Sequence, residues 1–277
     1  MTPQSEIPLD APRSMQAGRI PLTFEIKARL GLARAEVAAR GEPIPPAERR
    51  LGFDLSYWNQ AVNHDTAILA GIQFGYFRAT LGTTYRDSLY NHNRTNAGKR
   101  YPWGSYHAFS VNGAGGAQAA NFCSTIGEGH GLLPPVIDVE CNTTGTAVKS
   151  FCLELYSNFH TYGLIYTSAY MWARLPSHPD KTWVSNNCPL FVAHWSTLSP
   201  ILPYGWNGYV VHQFSADGNG QGAKYGAPPN GDADMDLDFT RQAWLDSFSP
   251  PSTLEQRVAT LEHDVARLNA AVFPSVE

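Results

Sequence analysis

Two carboxylates stand close together in a segment that otherwise has the composition of a buried strand. In "LPPVIDVECN", residues 133–142, an apolar run ends with Asp138 and Glu140, separated by one valine. Alternate residues of a strand point to the same face, so these two acids lie roughly 6.5 Å apart on one side. Paired carboxylates at such spacing could perform acid–base chemistry on a bound substrate. The alternative is a strand that simply ends in a solvated loop, and the rest of the chain must decide.

The chain from residue 51 onward alternates short β-rich runs with stretches of helical periodicity, which is typical of βα units around a parallel sheet. Eight strands are predicted, at "GFDLS", "QFGYFRAT", "PWGSYHAF", "PPVIDVE", "YGLIYTS", "PLFVAHWS", "GYVVHQFS" and "DMDLDF". Helices are predicted at 87–99, 117–127 and 146–162, whereas the last connections look short and loop-like. We therefore predict an α/β fold, an irregular TIM-like (β/α) barrel with eight strands and an incomplete helical ring.

In such a barrel the active site lies at the carboxyl ends of the strands, and most of the predicted strands end in polar residues. These residues are Asp54, Arg78, Thr80, Tyr106, His107, Asp138, Glu140, Tyr166, His194, Trp195, Gln213 and Asp236. If they converge on one mouth, carboxylates lie among aromatic rings. Aromatic faces stack on sugar rings and paired acids cleave glycosidic bonds, so this composition indicates carbohydrate cleavage.

Composition limits the remaining classes of function. The 277 residues are 43% hydrophobic and 16% charged, enough for one large domain and some additional chain. A net charge of −4 argues against a nucleic-acid partner, and no apolar window reaches the length of a membrane span. The first residues lack the basic start and apolar core of a Sec signal peptide, so we expect synthesis in the cytoplasm and a separate route of release.

No metal or cofactor site is predicted. The four cysteines, Cys123, Cys141, Cys152 and Cys188, have no CxxC spacing, and an even count permits disulfides without choosing a pairing. The run "GDADMDLD" has acids at alternate positions but lacks the glycine and closing glutamate of an EF-hand loop.

The ends of the chain differ from the barrel segment, residues 51–248. Residues 1–50 combine a Pro-rich start, one predicted helix and a linker. Residues 252–273 carry a heptad pattern, with Leu254, Leu261 and Leu268 at one core position and Val258, Val265 and Val272 at the other. We predict a C-terminal coiled-coil helix that makes a homo-oligomer, a dimer or trimer. Packing of this helix against the barrel is the alternative.

Eight motifs in order resemble glycoside hydrolase family 25, from about residue 51 to about residue 244. They are "GFDLSYWN", "FRATLGTTYRD", "WGSYHAF", "PPVIDVE", "YGLIYTSAYMW", "PLFVAHWS", "VVHQFS" and "DMDLDF". The resemblance implies a lysozyme (N-acetylmuramidase) that hydrolyses the β-1,4 bond between N-acetylmuramic acid and N-acetylglucosamine in bacterial peptidoglycan, with retention of configuration.

The resemblance also implies roles for the carboxylates. Glu140 is then the general acid, which requires a raised pKa. Asp138 either attacks the anomeric carbon or orients the substrate's 2-acetamido group to do so, and we favour the second. Asp54 and Asp236 line the same cleft, where they hold sugar hydroxyls and polarise the catalytic pair.

Six further residues are expected to contact the substrate: Tyr106, Tyr166, Trp195, Gln213, His107 and Arg78. Two positions depart from the family pattern. Trp195 stands where the family more often has Tyr, which preserves stacking. Asp238 stands where it often has Asn, and we expect this to add negative charge near the cleft.

The missing signal peptide favours a phage endolysin or a virion-borne lysin, which acts on the cell wall after release or as part of a particle. Two alternatives remain at this point. One is a non-catalytic wall-binding or structural virion protein that keeps the barrel, and the other is a chitinase-like enzyme acting on another N-acetylated glycan.

Overall fold

The computed structural model describes residues 43–98, 100–129 and 131–248. The predicted N-terminal helix and the predicted coiled coil at 252–273 lie outside the described residues, so both stay predictions. Among the described residues, no helix has the length and apolar character needed to span a bilayer.

The described residues form one nine-stranded sheet, eight strands of which close into a barrel. The strands are β1 (Arg49–Leu55), β2 (Phe74–Leu81), β3 (Tyr85–Arg86), β4 (Trp103–Ala108), β5 (Val136–Asp138), β6 (Leu164–Thr167), β7 (Leu190–Ala193), β8 (Val211–Ser215) and β9 (Asp236–Arg241). Their order is β1-β9-β8-β7-β6-β5-β4-β2-β3, and pairing of β1 with β2 closes the barrel. The predicted eight-stranded barrel is confirmed, and the short β3 is an addition at the edge of β2.

The direction of β9 differs from the parallel sheet that the sequence indicated. β9 runs antiparallel to both of its neighbours, β1 and β8, whereas the other strands of the barrel are parallel. A parallel return needs a crossover, usually through a helix. The connection from β8 to β9 contains only a one-turn 3-10 helix, Ala223–Tyr225, so the chain enters β9 from the mouth of the barrel.

Helices cover part of the outside of the barrel. They are α1 (His64–Leu69), α2 (Tyr90–Ala97), α3 (Gly115–Ile126), α4 (Gly145–Phe159), α5 (Ala169–Arg174), α6 (Pro179–Asn187) and α7 (Gln242–Asp246). The three predicted helices correspond to α2, α3 and α4. Residues 194–210, between β7 and β8, contain no helix, so the ring is incomplete as expected, although this connection is long.

Capping residues mark the starts of two helices that follow connections at the mouth of the barrel. The Thr144 hydroxyl accepts the main-chain N–H of Ala147 at the start of α4, and the Ser168 hydroxyl accepts that of Met171 at the start of α5. Both caps satisfy N–H groups that a helix start leaves without partners. The segment that follows β5, which carries Glu140, is therefore held between a strand and a capped helix.

Two apolar layers follow from the alternation of side chains along the strands. Outward residues such as Phe77, Ile137 and Val139 pack beneath the helices, against Phe122 and Phe151 among others. Each such fully buried side chain contributes roughly 1.5–3 kcal/mol to stability.

The inner layer fills the barrel, with Tyr76, Val136, Phe191 and Val211 among its members. The Tyr76 ring fits inside because β4 has a glycine beside it. A Cβ atom at Gly104 would lie 2.5 Å from Cε1 of Tyr76.

The structure also addresses the cysteines. All four are free thiols, and Cys123, Cys152 and Cys188 are buried. The sulfur atoms of Cys152 and Cys188 lie 3.6 Å apart.

Candidate active site

A cleft opens at the carboxyl ends of the parallel strands. Eight of the predicted site residues line it, namely Asp54, Arg78, Tyr106, Asp138, Glu140, Tyr166, Gln213 and Asp236. Asp54 and Asp236 are register partners on β1 and β9, and Asp138 is the partner of Tyr166 on β6. Because β9 is antiparallel, its first residue lies at the mouth, beside the end of β1. The cleft thus brings together carboxylates from both ends of the barrel sequence.

Hydrogen bonds hold the Gln213 side chain between a carboxylate and two aromatic residues. The Gln213 Nε2 donates to Asp54 Oδ2 at 2.9 Å. Its Oε1 accepts from the Tyr166 hydroxyl at 2.8 Å and from the Trp195 Nε1 at 3.0 Å. This network fixes the orientation of the amide. It also ties Trp195, whose side chain is 59% exposed at the mouth, to the carboxylate of Asp54.

Glu140 has the protonation behaviour of a general acid. The residue is open to solvent on one side, yet the protein around its carboxyl raises the pKa to about 7, with Asp54 and Asp217 adding to the shift. A catalytic acid works best with a pKa near the working pH, because it then carries a proton and still gives it up readily.

The other cleft carboxyls also have raised pKa values, for related reasons. Burial raises the pKa of Asp54 to about 6, against the Gln213 hydrogen bond and the Arg78 charge, which lower it. Burial and the nearby charges of Asp54, Asp217 and Glu140 raise the pKa of Asp236 to about 9. Like charges in a poorly hydrated site cannot all ionise together. At neutral pH the cleft therefore holds protons as well as negative charge.

Asp138 offers an unused acceptor to the cleft. Its Oδ1 is buried and has no hydrogen-bond partner among the described residues. Burial, followed by the neighbouring Glu140 and Asp54, raises its pKa well above the usual range, while the Arg78 charge lowers it. A buried polar atom without a partner is costly unless a ligand supplies one. Asp138 can therefore take part in binding the N–H of an amide.

Arg78 supplies the positive charge inside the cleft. Its Nε donates to Asp87 Oδ2 at 2.8 Å, and the two side chains are only 11% and 1% exposed. The guanidinium remains close enough to Asp54 and Asp138 to lower the pKa of each.

The structure corrects the expectation that His107 contacts the substrate. His107 is fully buried on the outer face of β4, where its ring lies 4.8 Å from that of Phe151. Its Nδ1 shares a hydrogen bond with Thr80, and its Nε2 shares one with Gln118. Burial lowers its pKa to about 4, so it is neutral at pH 7. Tyr106 and His107 are consecutive, and consecutive strand residues point to opposite faces, so only Tyr106 faces the cleft.

Asp238 also differs from expectation. It is fully buried inside the barrel below Asp236, and neither carboxyl oxygen has a hydrogen-bond partner among the described residues. Burial and the nearby Asp54 and Asp236 raise its pKa well above the usual range. The raised pKa favours the neutral form of Asp238, and the side chain does not line the cleft.

Sequence reasoning assigned no role to three residues that belong to this site. Tyr76 lies in the floor of the cleft, two residues before Arg78 on the same face of β2, and the period of two could have found it. Trp58 lines the rim and is 64% exposed. Asp217, in the loop after β8, raises the pKa of Glu140 and Asp236, and a loop residue gives no periodic signal.

No group of three or more His, Cys, Asp or Glu residues in the described part of the chain is arranged to hold a metal ion. In the run "GDADMDLD", the Asp234 carboxylate accepts the main-chain N–H groups of Gly218 and Gly220. Main-chain donors thus occupy this carboxylate.

Comparison with known proteins gives consistent matches. The model of "Glycosyl hydrolases family 25" matches residues 53–223. The chain is 28% identical to Lysozyme M1 of Streptomyces globisporus over 186 residues, which cover 60% of this chain and 62% of that protein. It therefore spans less than two thirds of this relative's length. It is 29% identical to the N,O-diacetylmuramidase of Chalaropsis sp over 185 residues, 59% of this chain and 87% of that protein.

A solved structure shares the fold. The bacterial lysozyme from Streptomyces coelicolor superposes with a TM-score of 0.60 and 28% sequence identity, covering 72% of this chain and 95% of that chain.

Proposed function

Because the chain belongs to family 25 of the glycosyl hydrolases, we propose that it is a muramidase that hydrolyses the β-1,4 bond between N-acetylmuramic acid and N-acetylglucosamine in peptidoglycan. One observation carries the proposal. Glu140, with a pKa of about 7, stands at the open mouth beside Asp138, whose buried Oδ1 has no partner among the described residues. The similarity to Lysozyme M1 and to the Chalaropsis muramidase supports the same activity.

In the first step Glu140 donates its proton to the glycosidic oxygen as the bond from that oxygen to the anomeric carbon breaks. The oxygen of the substrate's 2-acetamido group attacks the anomeric carbon from the opposite side. Asp138 Oδ1 accepts the acetamido N–H and stabilises the positive charge that develops on the amide. Direct attack by Asp138 is the alternative, and its unused acceptor oxygen is compatible with both roles.

In the second step a water molecule attacks the anomeric carbon, and Glu140 takes the proton of that water. Two displacements at the same carbon retain its configuration. Asp54 remains the carboxylate most readily ionised in the cleft, because the Gln213 hydrogen bond and the Arg78 charge oppose the effect of burial on its pKa. Asp236, with a pKa of about 9, carries a proton at neutral pH and can donate a hydrogen bond to a sugar hydroxyl.

The substrate contacts follow from the hydrogen-bond network. Tyr106 and Tyr166 line the cleft near the catalytic pair, and Trp195 presents an exposed ring at the mouth. Gln213 couples Tyr166 and Trp195 to Asp54, so binding of a sugar ring and the position of this carboxylate are linked.

Loss of turbidity in purified bacterial cell walls tests the activity. The Glu140→Gln variant should lose at least about a thousandfold in rate, because the amide N–H groups are too weakly acidic to protonate the glycosidic oxygen. Glu154→Gln, on the exposed face of α4, makes the same chemical change away from the cleft and should keep full activity. Equal rates for wild type and Glu140→Gln would refute the mechanism.

Analysis of the products distinguishes the substrate classes. Release of N-acetylmuramic acid at the new reducing ends supports a muramidase, and release of N-acetylglucosamine there would support the chitinase-like alternative. A substrate analogue without the 2-acetamido group should be almost inert, and brisk turnover of it would exclude participation by that group. The non-catalytic wall-binding alternative lacks support, because it gives no reason for a Glu140 pKa of about 7.

We also propose that the protein is a phage endolysin or virion-borne lysin that reaches the wall after release or on a particle. Assembly into a dimer or trimer through residues 252–273 would raise its avidity for an insoluble wall. The heptad pattern in the sequence supports the assembly. Light scattering on the full chain and on a chain truncated before Leu254 tests it, and an equal number of subunits in both would exclude it.

A further inference from the structure

The Asp87 carboxylate joins three segments around the cleft. Its Oδ2 accepts from Arg78 Nε at 2.8 Å and from the main-chain N–H of Tyr57 at 2.9 Å. Its Oδ1 accepts from the main-chain N–H of Leu89, just before α2, at 2.9 Å. The side chain of Asp87 is 1% exposed, so these protein donors take the place of water. One buried carboxylate thus contacts β2, the turn after β1 and the start of α2.

Two of these contacts reach the cleft directly. Arg78 lines it, and its charge lowers the pKa of Asp54 and Asp138. Tyr57 begins the one-turn 3-10 helix Tyr57–Asn59, which we call the rim turn and which presents Trp58 to the cleft. The same oxygen, Oδ2, holds both the guanidinium and the rim turn.

The rim turn makes other hydrogen bonds besides the one to Asp87. The Asn59 side chain accepts the main-chain N–H of Ser56, and the Trp58 carbonyl accepts that of Asp232. These bonds keep the turn folded and connect it to the β8–β9 loop. The contact with Asp87 is the one that connects it to Arg78, on the opposite side.

We propose that Asp87 is a positioning residue for glycan hydrolysis, which fixes Arg78 against the cleft carboxylates and the Trp58 rim beside the sugar path. The inference rests on the proposed function. One side chain outside the cleft then holds in place both the Arg78 charge near the catalytic carboxyls and the Trp58 ring on which a sugar can stack.

The Asp87→Asn variant should disturb both the position of Arg78 and the position of the rim turn. An amide has one oxygen, so it cannot accept all three donors, and its NH₂ group faces a donor at one of them. Without the carboxylate, the Arg78 charge is uncompensated and favours ionised Asp54 and Asp138 more strongly. The groups that must be ionised then titrate at lower pH, and the rim turn loses one of its anchors.

The experiment compares Asp87→Asn with Asp180→Asn in the full-length protein. Asp180 forms a partly exposed ion pair with Lys149 at 2.7 Å between α4 and α6, away from the cleft, so its substitution is a control for loss of an ion pair as such. For Asp87→Asn we expect KM for soluble glycan fragments to rise about five- to tenfold. We also expect the acid limb of kcat/KM to move to lower pH by roughly 0.5–1 unit. A residue that only stabilises the fold would lower the melting temperature and leave both values unchanged.

If Asp87→Asn does not fold, the Arg78→Gln Asp87→Asn double variant removes both charges and leaves none unpaired. Its KM should exceed that of Arg78→Gln alone, because the rim turn has still lost its contact. The proposal is overturned if KM and the acid limb of Asp87→Asn match those of Asp180→Asn, or if KM of the double variant equals that of Arg78→Gln.

The outcome can be separated from failure of the proposed function. An inactive wild type would refute the hydrolase assignment. Calorimetric binding of chitin oligosaccharides to Glu140→Gln, with and without Asp87→Asn, still measures the effect on the rim. Weaker binding with Asp87→Asn supports the positioning role, and unchanged binding opposes it.

Discussion

The barrel contains two layers of inward-facing side chains that differ in what surrounds their polar atoms. We call the first the mouth layer, which consists of Asp54, Asp138, Tyr166, Gln213 and Asp236. The second, which we call the floor layer, consists of the buried residues Tyr76, Val136, Phe191 and Asp238. In the mouth layer Gln213 hydrogen-bonds Asp54 and Tyr166. In the floor layer the Tyr76 hydroxyl and both Asp238 oxygens have no partner among the described residues.

Burial raises carboxyl pKa values in both layers, yet the consequences differ. A raised pKa in the mouth layer lies next to the space that a substrate can occupy, so the stored protons and unused acceptors are available for chemistry. Asp238 does not line that space, so we expect its raised pKa to affect mainly the stability of the barrel. A perturbed pKa therefore does not identify a catalytic group by itself. The carboxyl must also face the cleft. Substitutions in the mouth layer should therefore reduce activity, and those in the floor layer should change stability.

The largest effect is expected for Asp138→Asn in the mouth layer. The amide oxygen still accepts an N–H, but the amide cannot carry the negative charge that stabilises the charge developing on the acetamido group, so kcat should fall by roughly 10²–10⁴-fold. The free energy of unfolding at pH 7 should rise, because a buried acid with a raised pKa is removed. Wall turbidity and urea denaturation measure the two quantities. Full activity in this variant would break the distinction between the layers.

A smaller effect, on stability, is expected for Gly104→Ala. The added methyl group would lie 2.5 Å from Cε1 of Tyr76, so the ring must move within a packed floor layer. We expect a loss of about 1–3 kcal/mol in the free energy of unfolding. Gly116→Ala in α3 is the control, because its Cβ would meet nothing closer than the Ser150 Oγ at 3.6 Å. Equal stability of the two variants would show that the floor layer is loosely packed.

The smallest effect is expected for Asp238→Asn. The folded-state pKa of Asp238 is raised above its unfolded value, so its contribution to stability is present below the unfolded pKa and is lost as pH rises. The neutral, isosteric amide avoids this loss and should add about 1–2 kcal/mol at pH 7, with the gain vanishing near pH 4.

Asp246→Asn, at the exposed end of α7, is the surface control for Asp238→Asn, and its stability at pH 7 should stay within about 0.5 kcal/mol of wild type. Hydrolysis by Asp238→Asn should stay within about twofold of wild type, because the side chain does not line the cleft. A gain that persists at pH 4, or a large loss of activity, would place Asp238 with the mouth layer.

Much of the mouth layer could be predicted because it depends on local rules. A period of two and a position at the end of a predicted barrel strand are enough to place Asp138, Tyr166 and Gln213. The same rules failed for His107 because a shift of one residue reverses the face, and a sequence does not show the last residue that faces inward.

The floor layer could not be predicted, because its character depends on contacts between distant strands. Tyr76 fits only because Gly104 leaves space on β4. Burial inside the barrel raises the pKa of Asp238, and the charge of Asp54, which is far away in sequence, adds to the shift. The antiparallel direction of β9 depends on a connection without an α-helix, and loop length alone does not show which side of the barrel the chain re-enters.

The pairing of β1 with β9 has a consequence for the order in which the protein becomes active. Asp54 and Asp236 meet only when the first and last strands of the barrel pair. Contacts of such high sequence separation form late and slowly, because the intervening chain must be ordered first. A chain still on the ribosome has no complete carboxylate cluster until residues 236–241 have emerged. The pairing that closes the barrel therefore also completes the cleft. A chain in which β9 has not yet paired with β1 lacks Asp236 beside Asp54.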